Sequence, residues 1–215
     1  MPLHPLQDLI VRTAAALPEA HTVALAGGGA MIAHGFVDRA TQDVDLFTEV
    51  DDAEARHVTA ALRSALRERG LESRDADRPP ADHRFVAVDP ADGSECTVEV
   101  FADGGRLQPR VMLDIGPVLH PDDLAADKVL ALWGRARPRD FYDVHALMRH
   151  YTRDALLQLA AAKDAGFTIE TFLDALNALK RLTAADWAED GIRAEAVPQL
   201  TSLFAEWRTA LASDG

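Results

Sequence analysis

Cysteine is almost absent from this chain, since Cys96 is the only one among 215 residues. A single cysteine excludes an internal disulfide and any zinc site built from cysteines. Long apolar runs are also missing, because no stretch approaches the roughly 18 residues that span a bilayer. The N-terminus shows no basic segment followed by an apolar one, as a secretory leader would. These absences predict a cytoplasmic protein with no membrane partner.

Positive charge is scarce as well. The chain has 22 lysines and arginines against 35 acids, a formal net charge of −13, so the molecule as a whole is not expected to attract nucleic acid at long range. A polyanionic partner would need a local basic patch, and Arg135, Arg137 and Arg139 form one candidate. The alternative interpretation, a solvated loop between helices, stays open.

The order of elements predicts a small α/β half followed by a helical half, with the change near residue 121. Hydrophobic residues make up 48% of the chain, and its length allows one large domain or two small ones. Apolar spacing, turn residues and β-branched runs predict the elements of the first half. These are a helix over 6–17, a strand over 21–25, a glycine turn and helix up to 34, a strand over 43–47, a helix over 52–69, a polar loop over 74–83, strands over 84–88 and 97–101, and a short run over 111–118.

Two carboxylates, Asp43 and Asp45, lie one residue apart in the strand predicted over 43–47. Side chains alternate along a strand, so both acids share one face, roughly 7 Å apart. Such a pair can converge on a hard cation with oxygen ligands, and Mg²⁺ also takes substrate phosphates. The spacing alone is weak evidence, because Asp75 and Asp77 repeat it in what we interpret as a solvated loop.

A run of three glycines, Gly27, Gly28 and Gly29, precedes this strand. Glycine lets a backbone approach phosphates closely, and the following helix offers free N–H groups at its start. The dinucleotide fingerprint fails because Ile32 stands where a third glycine is needed, and no Gly-Lys-Ser/Thr follows as in a P-loop. A tight structural turn is the alternative, but a glycine turn and an acid pair within twenty residues together favour a nucleoside triphosphate (NTP) site.

Three further charged residues are candidates for the same site. Glu99 shares a strand face with Thr97 and would supply a third metal-binding carboxylate, or else lie on an exposed face. Lys128 and Asp140 both fall on apolar arcs of their helices, where an unpaired charge is costly to bury. They would face a shared cleft, with Lys128 opposite a triphosphate. The alternatives are a snorkelling lysine, an acid in a first helical turn, or a salt bridge between the two.

Several of these segments, taken together, resemble the AbiEii family of nucleotidyltransferases, which includes type IV toxin–antitoxin toxins and the MenT-type mycobacterial toxins. The matching segments are Gly27-Gly-Gly-Ala30, His34-Gly35, Arg39-x-Thr41-x-Asp43-x-Asp45-Leu46, Asp127-Lys128 and Arg139-Asp140-x-x-Asp143. The resemblance implies an α+β fold. A polymerase-β-like nucleotidyltransferase core, a small mixed sheet with flanking helices, would occupy residues 1–120. A C-terminal helical bundle over 121–215 would complete the active-site cleft.

The resemblance also implies an activity, the transfer of a nucleoside monophosphate (NMP) from an NTP with release of pyrophosphate. In MenT-type members the acceptor is the 3′ end of tRNA. The partners implied are an NTP, a tRNA or other RNA acceptor and a cognate antitoxin. Two other hypotheses remain, a nucleotidyltransferase acting on a small molecule or protein side chain, and a catalytically silent nucleotide-binding module.

Site residues follow from the resemblance by motif position. Asp43 and Asp45 would hold Mg²⁺. Lys128 would bind the triphosphate and Asp140 would be essential beside it. The phosphates would also contact Gly28, Gly29 and Thr41. One departure concerns Glu99, because the broader nucleotidyltransferase pattern has aspartate there.

Overall fold

The computed structural model describes residues 3–77, 83–103 and 105–213. The chain divides into two compact units, Met1–Leu124 and Ala125–Gly215. All strands of the described residues lie in the first unit. The regular elements described in the second unit are helices. This is the α+β class that the sequence predicts.

Strands and helices of the first unit mostly follow the apolar pattern of the sequence. The helices are α1 (Pro5–Ala15), α2 (Gly27–Ala33) and α3 (Asp52–Glu68), and a further helix, α4 (Pro121–Arg135), begins in the last residues of this unit. The strands are β1 (Ala24–Leu25), β2 (Asp43–Thr48), β3 (Glu72–Asp75), β4 (Arg84–Val88), β5 (Glu95–Ala102), β6 (Val111–Leu113) and β7 (Gly116–Val118).

The strands join into one mixed sheet in the order β3-β4-β5-β2-β1-β7-β6. β2 pairs with β5 and β1 with β7 in parallel, and the other neighbours are antiparallel. β2 therefore lies in the middle of the sheet, between β5 and β1. The predicted small mixed sheet is confirmed.

The two faces of the central strands differ in polarity. Val44 and Leu46 on β2, with Val98 and Val100 on β5, are fully buried, and these strands contact α1 and α3. Because side chains alternate along a strand, the acids of β2 lie on the opposite face. The hydrophobic core thus fixes which way Asp43 and Asp45 point.

Three local predictions for the first unit differ from the structure. The predicted loop from residue 74 begins inside β3, an edge strand whose polar composition resembles a loop; residues 78–82 of that loop lie outside the described residues. The short run over 111–118 is a hairpin, because the chain reverses between β6 and β7. The glycines do not precede α2 but form its first turn.

The second unit is built on aromatic packing between helices. Phe141 packs edge-on against Phe204, with ring centroids 5.1 Å apart, and Phe172 packs against Trp207 at 5.2 Å. The helices that follow α4 are α5 (Pro138–Leu147), α6 (Arg153–Lys163), α7 (Ile169–Asn177), α8 (Ala184–Glu189) and α9 (Val197–Ser213).

Within the described residues, no helix combines the length and the apolar character that crossing a bilayer requires.

Candidate active site

Asp43 and Asp45 share one face of β2, as the alternation predicts. Both are half-buried, while Val44 and Leu46 between and after them are buried. Asp45 lies against the glycine segment, because a Cβ built on Gly27 would stand only 1.7 Å from Asp45 Oδ2. Gly27 also has a φ of +57°, a conformation that favours glycine. Two independent features therefore require glycine at position 27.

Thr41 connects the second glycine with the first acid. Its hydroxyl donates a hydrogen bond to Asp43 Oδ1 at 2.8 Å, and a Cβ on Gly28 would lie 2.6 Å from Thr41 Oγ1. The structure thus brings Gly28, Thr41, Asp43 and Asp45 together within the first unit. Gly29 differs, since a Cβ there would meet the buried side chain of Leu25 at 2.9 Å. Its missing side chain allows helix–strand packing.

Gln7 supports this segment from α1, and sequence reasoning missed it. The side chain is buried, and its amide Nε2 donates to the carbonyl of Thr41 at 2.9 Å. Its Oε1 accepts from the backbone N–H of His4 at 3.0 Å, which completes the capping box at the start of α1. A signal was present, because Gln7 lies on the arc of Ile10, three residues further along the helix.

Cys96 lies under the same segment, with its Sγ 3.8 Å from the carbonyl oxygen of Gln42. Burial raises the pKa of the thiol to about 12, with smaller contributions from the charges of Asp43 and Asp45. The thiol therefore stays protonated near neutral pH, and Cys96 is not a nucleophile.

Glu99 stands directly beside Asp45 in the parallel pairing of β2 with β5. Its carboxylate, however, forms an ion pair with Arg84 on β4, with 2.5 Å between Glu99 Oε1 and Arg84 Nε. The described residues contain no group of three or more His, Cys, Asp or Glu placed to hold a metal ion. A role for Glu99 as a metal ligand remains a prediction.

Lys128 lies on α4 in the second unit and is buried, as its place on the apolar arc predicts. Its ammonium pairs with Asp143 of α5 at 2.9 Å. Asp143 itself is 1% exposed. The sequence alternative of a salt bridge between Lys128 and Asp140 is wrong, because each residue has a different partner.

Asp140 caps the start of α5. Its Oδ2 accepts the backbone N–H of Arg137 at 2.9 Å. Its carboxylate also accepts hydrogen bonds from Nε of Arg135, at 3.2 and 3.0 Å to the two oxygens, and from Nη2 of Arg135 at 2.8 Å. Arg137 in turn pairs with Asp190 at 2.9 Å. Two of the three arginines in the candidate basic patch, Arg135 and Arg137, thus form ion pairs with acids, although both side chains remain more than 40% exposed.

Comparison with known proteins identifies the family. The family model described as nucleotidyl transferase AbiEii toxin, type IV TA system, matches residues 8–212.

The chain belongs to the AbiEii family.

The resemblance inferred from the sequence is therefore confirmed. Members of the AbiEii and MenT families are nucleotidyltransferases, so this chain belongs to an enzyme class that takes a nucleotide substrate. The family also implies a cognate antitoxin and the general use of a divalent metal. Among curated proteins, no sequence matches the chain.

Solved structures confirm the fold of this AbiEii member. MenT4, a nucleotidyltransferase toxin of Mycobacterium tuberculosis, is similar with a TM-score of 0.60 and 16% identity, over 98% of this chain and 84% of that one. JHP933 from Helicobacter pylori has a TM-score of 0.58 and 15% identity, over 99% and 96% of the two chains. A putative nucleotidyltransferase from H. pylori gives 0.58 and 15%, over 98% and 96%.

Proposed function

We propose that this protein is a Mg²⁺-dependent toxin that transfers an NMP from an NTP to the 3′ hydroxyl of an RNA, with tRNA as the acceptor. One observation carries the proposal: Asp43 and Asp45 share a strand face, with the Gly27 backbone against Asp45 and Thr41 bonded to Asp43. The RNA acceptor rests on the resemblance to MenT-type members.

The side chains present fit a divalent cation. Two carboxylates on one strand face offer the hard oxygen ligands that Mg²⁺ prefers, and they leave coordination positions for water and phosphate oxygens. Because glycine at position 27 has no side chain, the Asp45 carboxylate lies directly against the backbone of the glycine turn. When bound, the ion would neutralise charge on the phosphates and align the leaving pyrophosphate.

In the proposed reaction the hydroxyl oxygen of the acceptor forms a bond to the α-phosphorus of the NTP. The bond from that phosphorus to the oxygen bridging the β-phosphorus breaks, pyrophosphate leaves, and the hydroxyl proton passes to solvent. Asp43 and Asp45 would bind the metal, and the amides of Gly28 and Gly29 would donate to phosphate oxygens. Thr41 donates its one hydroxyl proton to Asp43 in this structure. When the nucleotide binds, the hydroxyl would turn and donate that proton to a phosphate oxygen instead.

Lys128 and Asp140 are proposed to act with these groups, Lys128 binding the triphosphate and Asp140 being essential to the reaction. Their present contacts already give both a structural role, because Lys128 pairs with Asp143 and Asp140 caps α5. Loss of activity on substituting either residue therefore supports the proposal only if the variant keeps its fold.

The direct test incubates each α-labelled NTP with total tRNA and follows label in the RNA. Wild type should label tRNA, and Asp43→Ala should not. Asp75→Ala is the matched control, because Asp75 belongs to the other Asp-x-Asp pair and is exposed on β3, paired with Arg63; it should label like wild type.

Three outcomes contradict the proposal. Equal labelling by wild type and Asp43→Ala would remove the acid from the reaction. Absence of labelling with every NTP would reject the activity. Label that survives RNase and runs as protein or as a small molecule would keep the donor chemistry but reject the RNA acceptor.

A further inference from the structure

A row of charged side chains crosses the acid-bearing face of the sheet. Strand register places Arg84 on β4 opposite Glu99 on β5, and Glu99 opposite Asp45 on β2. All three side chains share one face because they occupy directly paired positions of adjacent strands. A cation therefore stands on one side of Glu99 and the proposed metal-binding acid on the other.

Glu99 is engaged on the arginine side. The ion pair with Arg84 measures 2.5 Å, and the side chains are only 20% and 17% exposed. Partly buried pairs are screened less by salt than exposed ones, and arginine keeps its charge at any physiological pH. The contact is thus expected to persist in solution.

We infer that Arg84 is a positioning residue that holds Glu99 away from the metal, so that this chain binds its divalent cation through Asp43 and Asp45 alone. The inference rests on the proposed function, since it assumes the metal site of that proposal. The inference also accounts for glutamate at position 99, where the broader nucleotidyltransferase pattern has aspartate. A glutamate side chain is one methylene longer than that of aspartate, and Glu99 uses this length to reach Arg84 on the next strand.

The experiment measures Mn²⁺ binding to the free protein by electron paramagnetic resonance, with no nucleotide or RNA present. The double variant Arg84→Met/Glu99→Gln removes both charges of the ion pair and keeps the net charge. It should bind Mn²⁺ within about twofold of wild type, because a residue that does not coordinate contributes no ligand charge. Arg84→Met should bind roughly tenfold more tightly, because it frees a third carboxylate and affinity follows the charge of the ligands. In the double variant the gain should disappear.

A control separates this mechanism from a general effect of charge. Arg74 on β3 pairs with Glu95 on the same sheet face, at 2.7 Å and about half exposed. Arg74→Met removes one positive charge and frees one carboxylate, as Arg84→Met does, but leaves Glu99 with its partner. Its Mn²⁺ affinity should match that of wild type.

Two results would overturn the inference. A several-fold loss of Mn²⁺ affinity in the double variant Arg84→Met/Glu99→Gln would make Glu99 a ligand despite Arg84. A wild-type affinity in folded Arg84→Met would show that the arginine does not restrain Glu99. If that single variant does not fold, the double variant, which leaves neither charge of the pair behind, decides alone. Asp45→Asn tests the proposed function separately, because unchanged binding there would reject the metal site itself.

Discussion

Replacing Gly27 by alanine tests the geometry of the site with a single methyl group. The new Cβ would stand 1.7 Å from Asp45 Oδ2, whereas real Cβ atoms keep at least 3.0 Å from other heavy atoms, so the carboxylate must withdraw by about 1.3 Å. A displacement of about 1 Å in a reacting group can lower a rate roughly 100-fold. We therefore expect Gly27→Ala to lose about 2.7 kcal/mol of transition-state stabilisation.

The same substitution also strains the backbone, because Gly27 has a φ of +57°. A left-handed conformation costs an L-residue about 1–2 kcal/mol. Gly35→Ala is the matched control, since Gly35 has a φ of +72° but a Cβ there would have no atom within 4 Å. Both variants should lose the unfolding free energy of the backbone strain, Gly27→Ala should lose more because of its clash with Asp45, and only Gly27→Ala should lose activity.

The assay pairs urea denaturation with pyrophosphate release under saturating NTP and acceptor, normalised to folded protein. Equal turnover in Gly27→Ala and Gly35→Ala would refute the reasoning, because the clash with Asp45 would then have no effect on the reaction.

Three further predictions concern the buried side chains of Gln7, Lys128 and Cys96. Gln7→Leu removes the amide that donates to the Thr41 carbonyl; it should cost about 1–3 kcal/mol of unfolding free energy and weaken Mn²⁺ binding, as titration would show. Lys128→Met removes the ammonium group from the buried ion pair with Asp143. It should lower the free energy of unfolding by about 3–5 kcal/mol, as urea denaturation would measure. Lys128→Met combined with Asp143→Leu should restore much of that loss while labelling activity stays absent, whereas active double variants would exclude Lys128 from triphosphate binding. The Cys96 thiol has a pKa of about 12 in the folded protein, against an ordinary value of 9.0, so above pH 9 the thiol ionises readily only in the unfolded chain. The free energy of unfolding should therefore fall from about pH 9 toward 12, and it should fall less steeply in Cys96→Ala. The same slope in both proteins would show that the thiol is not buried in solution.

Strand alternation was enough to predict the face that carries Asp43 and Asp45, because apolar Val44 and Leu46 must point into the core. The same local logic failed for β3, whose residues are polar on both faces. An edge strand pairs through its backbone on one side only, and its side chains need not be apolar. Hydrogen bonding to β4 forms this strand, and composition carries little sign of it.

The partners of the charged residues depend on register and helix packing, which single residues do not reveal. The sequence predicts Glu99 as a metal ligand because the strand face that carries it can be inferred from alternation. It does not reveal Arg84 as a partner, because the antiparallel pairing of β4 with β5 is what places Arg84 opposite Glu99. Lys128 and Asp140 were correctly recognised as charges on apolar arcs. Which acid meets Lys128 depends on the packing of α4 and α5, and the sequence did not indicate Asp143.

A crystal of the protein soaked with Mn²⁺ and an NTP analogue that resists cleavage between the α- and β-phosphates tests the central claim most directly. The account predicts an anomalous peak in contact with carboxylate oxygens of both Asp43 and Asp45, with the triphosphate beside the Gly27–Gly29 turn. A peak bound to other residues, or an analogue bound away from that turn, would contradict it.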